Sequence, residues 1–224
     1  MKIGSKDINV YRAIDASAPL VIYNSFEGDG KEIYEAVKTI TDTDFTLAVI
    51  SGVEWEREMT PWPSKALYKN SPDFTGEADE YIEFLIKKAV PEIIKEYELK
   101  PSSIYLAGYS LGGLLAVYSL YKTDVFHGVA SASGSMWYPD FLEYVKENKP
   151  KRLPEKIYFS LGNKEAVTKN QTLKKVEENT KALYEHFRDL GAEAFFELNE
   201  GNHFKDAVLR MAKGIAYLLN WTET

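Results

Sequence analysis

Residues 104–118 read Ile104-Tyr105-Leu106-Ala107-Gly108-Tyr109-Ser110-Leu111-Gly112-Gly113-Leu114-Leu115-Ala116-Val117-Tyr118. The first five form an apolar run suited to a buried strand, and residues 114–121 form a helix-forming run. Between them Gly108-Tyr109-Ser110-Leu111-Gly112 matches GxSxG. In this strand-to-helix turn, the positions two before and two after the serine have no room for bulky side chains. Such a turn lifts the serine Oγ above the end of a sheet. The following helix offers the Leu111 amide, which has no partner inside the helix, to a developing oxyanion. A serine that merely caps the helix is the plainer reading of the same residues.

Working outward, short apolar runs rich in β-branched and aromatic residues recur at 8–14, 20–24, 45–50, 128–132, 157–161 and 194–198. Apolar stripes at helical spacing lie between them. One is Ile82, Leu85, Ala89 and Ile93, a second Leu173, Val176, Leu183, Phe187 and Leu190, and a third Val208, Met211, Ile215 and Leu218. Glu177 and Lys181 form a helical charge pair, and Gly191 falls where a helix end favours a left-handed residue. The alternation predicts an α/β fold, with a mostly parallel central sheet, helices on both faces and an antiparallel strand possible at the N-terminal edge. With no repeat, linker or low-complexity tract, residues 1–224 read as a single domain. About two dozen residues separate the strands at 128 and 157, too few for a large lid domain.

The net charge of −7 over 224 residues argues against nucleic-acid or anionic-membrane partners and toward a small-molecule substrate. The absence of cysteine excludes disulfides, thiolate nucleophiles and cysteine metal sites. No run approaches the ~18 apolar residues of a membrane span, and 1–10 lacks a signal-type apolar core. The expected location is cytoplasmic. No ligand spacing suggests a catalytic zinc, and no cofactor is expected.

A serine nucleophile needs a base, and the chain has three histidines. His127 opens a predicted strand, at the far end of the sheet from Ser110, and His186 lies within a predicted helix. His203 lies in Glu200-Gly201-Asn202-His203-Phe204, just after the last predicted strand, where functional loops gather. The orienting acid should follow the strand at 157–161. Glu165 is the first carboxylate there and Asp140, after the preceding strand, is its competitor. The amide of Phe26, or of Ser25, in the loop after residues 20–24 is the candidate second oxyanion donor.

These residues resemble the α/β-hydrolases, and within them the Putative esterase family with its esterase D-like and enterochelin esterase-like members. The resemblance runs through Tyr23-Asn24-Ser25-Phe26, residues 55–63 from Trp55 to Pro63, and Val90-Pro91-Glu92-Ile93-Ile94. It continues through the GxSxG turn, Ser133-Gly134-Ser135-Met136-Trp137, Leu161-Gly162-Asn163-Lys164-Glu165 and Gly201-Asn202-His203-Phe204. It implies Ser110 as nucleophile, His203 as base and Glu165 as acid. The sequence departs from the family pattern in two places. Asn24-Ser25-Phe26 replaces a His-Gly dipeptide common at the oxyanion loop, and Asn202 stands where glycine is common.

The expected activity is a serine carboxylic-ester hydrolase acting through an acyl-enzyme on small or aromatic acyl esters. The alternatives are an acyltransferase using the same acyl-serine and a degenerate hydrolase fold serving as a binding module. Trp55, Arg57, Trp62 and Trp137 fall in predicted loops after strands and are candidate substrate contacts. Ordinary packing of the tryptophans, and a solvated ion pair between Arg57 and its neighbours Glu56 and Glu58, are the plainer alternatives.

Overall fold

In a computed structural model that describes residues 1–220, the strand-forming runs pair into one open sheet of eight strands. They are β1 (Lys2–Ile3), β2 (Lys6–Tyr11), β3 (Leu20–Asn24), β4 (Thr46–Ser51), β5 (Ile104–Tyr109), β6 (Gly128–Ala132), β7 (Lys156–Gly162) and β8 (Glu193–Asn199). Their spatial order is β1-β2-β4-β3-β5-β6-β7-β8. The β1–β2 and β2–β4 pairs are antiparallel and all others parallel. β3 and β6 are buried at every position, as strands covered on both faces must be, whereas β2, next to the edge strand β1, begins with alternating buried and exposed residues.

Successive strand residues point to opposite faces and feed two cores. Val21, Leu47, Ala107 and Tyr158 pack with Ile33 and Val37 of α1 (Lys31–Ile40) and with Met211 and Ile215 of α8 (Ala207–Leu218). Ile22, Ile50, Leu106 and Phe159 face the larger core. It is built with α2 (Trp55–Glu58), α3 (Ala78–Phe84), α4 (Val90–Glu96), α5 (Leu111–Ser119), α6 (Phe141–Glu147) and α7 (Val176–Asp189). Every residue of α5 is buried, so it needs no polar face.

A π-turn at Leu85–Ala89 joins α3 to α4 and keeps Ile82, Leu85, Ala89 and Ile93 all buried. It sits just before Pro91, which has no N–H to return to the carbonyl four residues back. Gly191 closes α7 at φ 97°, donating to the Arg188 carbonyl while Ala192 donates to that of Phe187, the paired bonds of a Schellman cap.

Several boundaries differ from the sequence reading. The first long strand ends at Tyr11, and Ile14 is 95% exposed, because Asp15 folds back to accept the Ser17 N–H and turns the chain. Leu190 is the helix cap and exposed rather than part of the buried stripe. β1 and α2 are too short to stand out from periodicity, whereas α1 carries Ile33, Val37 and Ile40 at helical spacing and is a helix that the three stripes named above leave out. The excursion at 133–155 holds only α6. Residues 59–77 form no regular element; an isolated bridge between Ser64 and Phe74 closes them, and the Ala66 N–H donating to Asp73 and the Tyr138 hydroxyl donating to the Trp62 carbonyl hold them further.

The sheet order reverses at β3. The chain runs β3 to β4 outward and then crosses back to β5, which pairs with β3 from the other side. The register sets Asn24 opposite Gly108, so the loops leaving β3 and β5 emerge side by side at the carboxyl end of the sheet.

The two-sided core has a direct test in Phe187, fully buried against Phe159 and Tyr121. Phe187→Ala should cost about 3–5 kcal/mol in urea denaturation while leaving the groups around Ser110 in place.

Candidate active site

At the end of β5 the backbone turns so sharply that Ser110 sits at φ 56° and ψ −121°, a conformation rare for a residue with a side chain. Glycine at 108 is a steric necessity, since a Cβ there would lie 2.1 Å from the Gly112 carbonyl carbon. At Gly112 the neighbour is softer: a Cβ would come 3.2 Å from the Trp55 ring. The turn is held by the Ser110 N–H donating to the Ala132 carbonyl at 3.1 Å. The Ser110 carbonyl accepts from Gly113, Leu114 and Ser135.

Three loops bring their side chains to one line. His203 Nε2 lies 3.1 Å from Ser110 Oγ, and His203 Nδ1 lies 2.7 Å from Glu165 Oε2. The hydrogen-bonding Nδ1–H to the carboxylate leaves Nε2 as the acceptor that a serine hydroxyl requires. The acid loop and the histidine loop are stitched together through the backbone. Lys164 N–H donates to the Gly201 carbonyl and Gly201 N–H to Asn163 Oδ1, both at 3.0 Å. Asn202 uses its side-chain oxygen to accept the Phe204 N–H at 3.0 Å. The Tyr109 hydroxyl donates to the His203 carbonyl at 2.6 Å.

Glu165 is enclosed, with its side chain 5% exposed. Burial by itself raises its carboxyl. The hydrogen bond with His203, the Gly162 N–H, the attraction of His203 and the Ser133 hydroxyl together outweigh that and hold it below the ordinary glutamate value. Its Oε1 accepts from Gly162 N–H at 2.6 Å, Ser133 Oγ at 2.7 Å and Arg210 Nη1 at 3.2 Å. Arg210 is absent from the sequence reading, and Ser133 stands there only within the 133–137 stretch, with no role at the site. The available signal was a charged residue in the stripe of a helix that packs on the sheet, directly beside Met211.

The structure separates the remaining candidates. Asp140 is exposed at the start of α6 with no hydrogen bond to His203, whose Nδ1 is already matched with Glu165. His127 Nδ1 accepts the Ile104 N–H at the opposite end of β5, and His186 lies on α7. The Ser25 amide is spent on the Ile50 carbonyl at 2.9 Å. The Leu111 amide starts α5 and the Phe26 amide lies in the loop after β3, and neither has an acceptor among the described residues.

Ser110 and His203 open into a cleft of about 840 Å³ walled by Phe26, Trp55, Tyr109 and Phe204. Phe26 is 66% and Phe204 82% exposed, and the Phe26 and Trp55 rings meet edge to face at 5.4 Å. Of the four proposed substrate contacts, only Trp55 lines this cleft, from the one-turn α2 rather than a loop. Trp62 is a packing residue. Its Nε1–H donates to the Pro139 carbonyl at 3.1 Å, and its ring sits among Tyr118, Tyr138, Phe141 and Tyr144. Trp137 is buried against Phe74 and Tyr138. Arg57, on α2, pairs with Glu54 and Glu77 and borders a separate pocket beside Lys6 and Tyr81. Among the described residues no group of three or more His, Asp or Glu could hold a metal, and no helix is long and apolar enough to cross a membrane.

A model of the family described as Putative esterase matches residues 23–207, from the strand before the oxyanion loop to the start of α8. The chain belongs to this family. Its sheet and helices are the α/β-hydrolase fold. Curated relatives include the uncharacterized protein YbbA of Bacillus subtilis (strain 168), 28% identical over 149 residues that cover 64% of this chain and 60% of YbbA. The ferri-bacillibactin esterase BesA of the same organism is 23% identical over 205 residues, covering 86% of this chain and 66% of BesA. The match thus spans less than two thirds of either relative's length. Among solved structures, an IroE-like serine hydrolase from Shewanella oneidensis shares the fold with a TM-score of 0.77 at 17% identity, over 96% of this chain and 76% of that one. The esterase-family match begins at Tyr23 and so includes the loop at Asn24-Ser25-Phe26.

The two tryptophans should behave oppositely. Trp55→Ala is expected to raise KM for aromatic esters about three- to tenfold with little loss of stability. Trp62→Ala should leave KM unchanged and cost about 3–5 kcal/mol in denaturation. Glu165 gives a pH test as well. Its folded value lies below its unfolded one, so its contribution to stability is present above the unfolded value of ~4.3 and is lost as pH falls through the folded value. The gap in urea midpoint between wild type and Glu165→Gln should therefore narrow as pH is lowered from about 7 to about 3.

Proposed function

We propose that this protein is a serine carboxylic-ester hydrolase acting through a Ser110-His203-Glu165 triad and an acyl-enzyme. The observation that carries the reading is the unbroken relay: Ser110 Oγ 3.1 Å from His203 Nε2, and His203 Nδ1 2.7 Å from Glu165, on a strained turn between two glycines. Membership of the esterase family supports the reaction type.

Ser110 Oγ attacks the ester carbonyl carbon while its proton passes to His203 Nε2, and Glu165 stabilises the resulting imidazolium. The carbonyl oxygen becomes an oxyanion facing the free amides of Leu111 and Phe26. The bond to the alcohol oxygen breaks as His203 returns the proton to it, leaving the acyl group on Ser110. Water then enters by the same route, with His203 again as base, and releases the acid.

The open cleft and its exposed phenylalanines favour small or aromatic acyl groups with little selection on the alcohol side. The name of the relative BesA, ferri-bacillibactin esterase, supports including esters of that kind in a substrate screen.

A fluorophosphonate should add once, to Ser110, as read by intact mass and peptide mapping. Ser110→Ala and His203→Ala should each lower ester hydrolysis by roughly three orders of magnitude or more with thermal stability near wild type. Glu165→Ala should lose activity while Asp140→Ala keeps it. The reverse pattern would reassign the acid.

A further inference from the structure

Behind the relay lies a charge that the mechanism above does not use. Arg210, four residues into α8, is 1% exposed, an unusual site for a group that keeps its proton throughout the working pH range. Its Nη1 donates to Glu165 Oε1 at 3.2 Å and to Ser133 Oγ at 3.1 Å, and its Nη2 donates to the Glu200 carbonyl at 3.1 Å. One guanidinium therefore joins the end of β6, the acid's loop after β7 and the loop that carries His203. Gly162 leaves room for it. A Cβ there would stand 2.9 Å from Arg210 Nη2 and 2.4 Å from the Gly201 carbonyl oxygen.

The two oxygens of Glu165 thus serve different partners, Oε2 facing His203 and Oε1 facing Arg210. Other ionisable groups lie nearby. Tyr109, from β5, donates to the His203 carbonyl, meets the His203 ring edge to face at 5.5 Å and has its hydroxyl beside Ser133 and Arg210, with burial raising it above the ordinary tyrosine value; Glu200 pairs with Lys205 at 3.3 Å, and Lys164, Lys205 and Asp206 are exposed. Arg210 is the buried cation of the cluster. With His203 neutral, Arg210 and Glu165 cancel. A proton on His203 leaves the buried group with a net positive charge. Without Arg210 that same proton would neutralise a lone carboxylate, so the arginine's charge opposes it.

We propose that Arg210 is a positioning residue that clamps Glu165 and the His203 loop in the reactive arrangement and, as a permanent buried cation, keeps His203 free of a resting proton, setting the lower pH bound of activity. The inference rests on the triad reading given above.

The test uses Arg210→Gln and Arg210→Lys, with folding checked by circular dichroism. The readouts are the pH profile of kcat/KM on a neutral ester and the NMR titration of the His203 ring proton. In Arg210→Gln the acid limb and the NMR titration should both move upward by about one pH unit. Arg210→Lys, which keeps the charge and loses the fork, should hold the wild-type midpoint with a reduced kcat. A lowered kcat with both midpoints unmoved in Arg210→Gln would reduce Arg210 to a structural brace and overturn the proposal. If the glutamine variant does not fold, Arg210→Met removes the same charge with an apolar chain of similar length, and there an unmoved midpoint overturns the proposal while an upward displacement supports it. Failure of the triad reading has a separate signature, a wild type with neither adduct nor ester hydrolysis. The NMR titration still decides the role of Arg210 in that case.

Discussion

The backbone contact between Gly108 and Gly112 is the constraint on which the site depends. The last turn of β5 and the first turn of α5 approach so closely that a single methyl group at 108 would sit 2.1 Å from a carbonyl carbon. That approach forces Ser110 into its strained conformation and frees the Leu111 amide at the start of a helix with no polar face. It is maintained because α5 is buried along its whole length and cannot relax outward without exposing Leu114, Leu115 and Val117 to water. Strain at one residue is thereby held in place by the packing of nine.

Around this turn the polar groups form a network with few open ends. Glu165 takes bonds from four groups, Ser133 after β6, Gly162 at the end of β7, His203 in its loop and Arg210 on α8, and His203 is held through both ring nitrogens and its carbonyl. Such a network orders groups that would otherwise sample many rotamers, and in a poorly solvated site each bond counts for more than it would in water. The cleft in front of it is the opposite in character. Phe26 and Phe204 stand exposed at its walls, touching Trp55 and His203 edge to face, while Trp62 and Trp137 pack away from it among Tyr138 and Phe74. A rigid relay beneath an open apolar cleft suits chemistry that is strict about the bond broken and tolerant of the groups attached to it.

The strands and the long helices were legible because each repeats its apolar residues at the period of its own geometry. Ile22 and Leu106, or Met211 and Ile215, announce their faces without any partner being known. Short elements carry too few repeats for that. The single turn of α2 at Trp55 and the two-residue β1 exist only because neighbours hold them. Ser110 and His203 were legible since glycine spacing and loop position are local properties, and Glu165 because it is the first carboxylate past its strand. The aromatic residues were not. Trp55 and Trp62 are seven positions apart in one segment, and only the path of 59–77, bridged at Ser64 and Phe74, turns one toward the cleft and the other into the core.

By itself, then, the sequence determined an α/β chain with a serine at a glycine-bounded turn, a histidine after the last strand and an acid after the one before, all by local pattern and chain order. The tertiary structure decided which amides are free for an oxyanion, which tryptophan meets the cleft, and that Arg210 stands behind Glu165. Those outcomes depend on contacts between segments far apart in the chain. Ser25 loses its amide to Ile50 on a neighbouring strand, and Arg210 reaches Glu165 across 45 residues only because β7 and α8 pack together. No local pattern carries such pairings, since they are set by how the sheet twists its loops together after every element has formed.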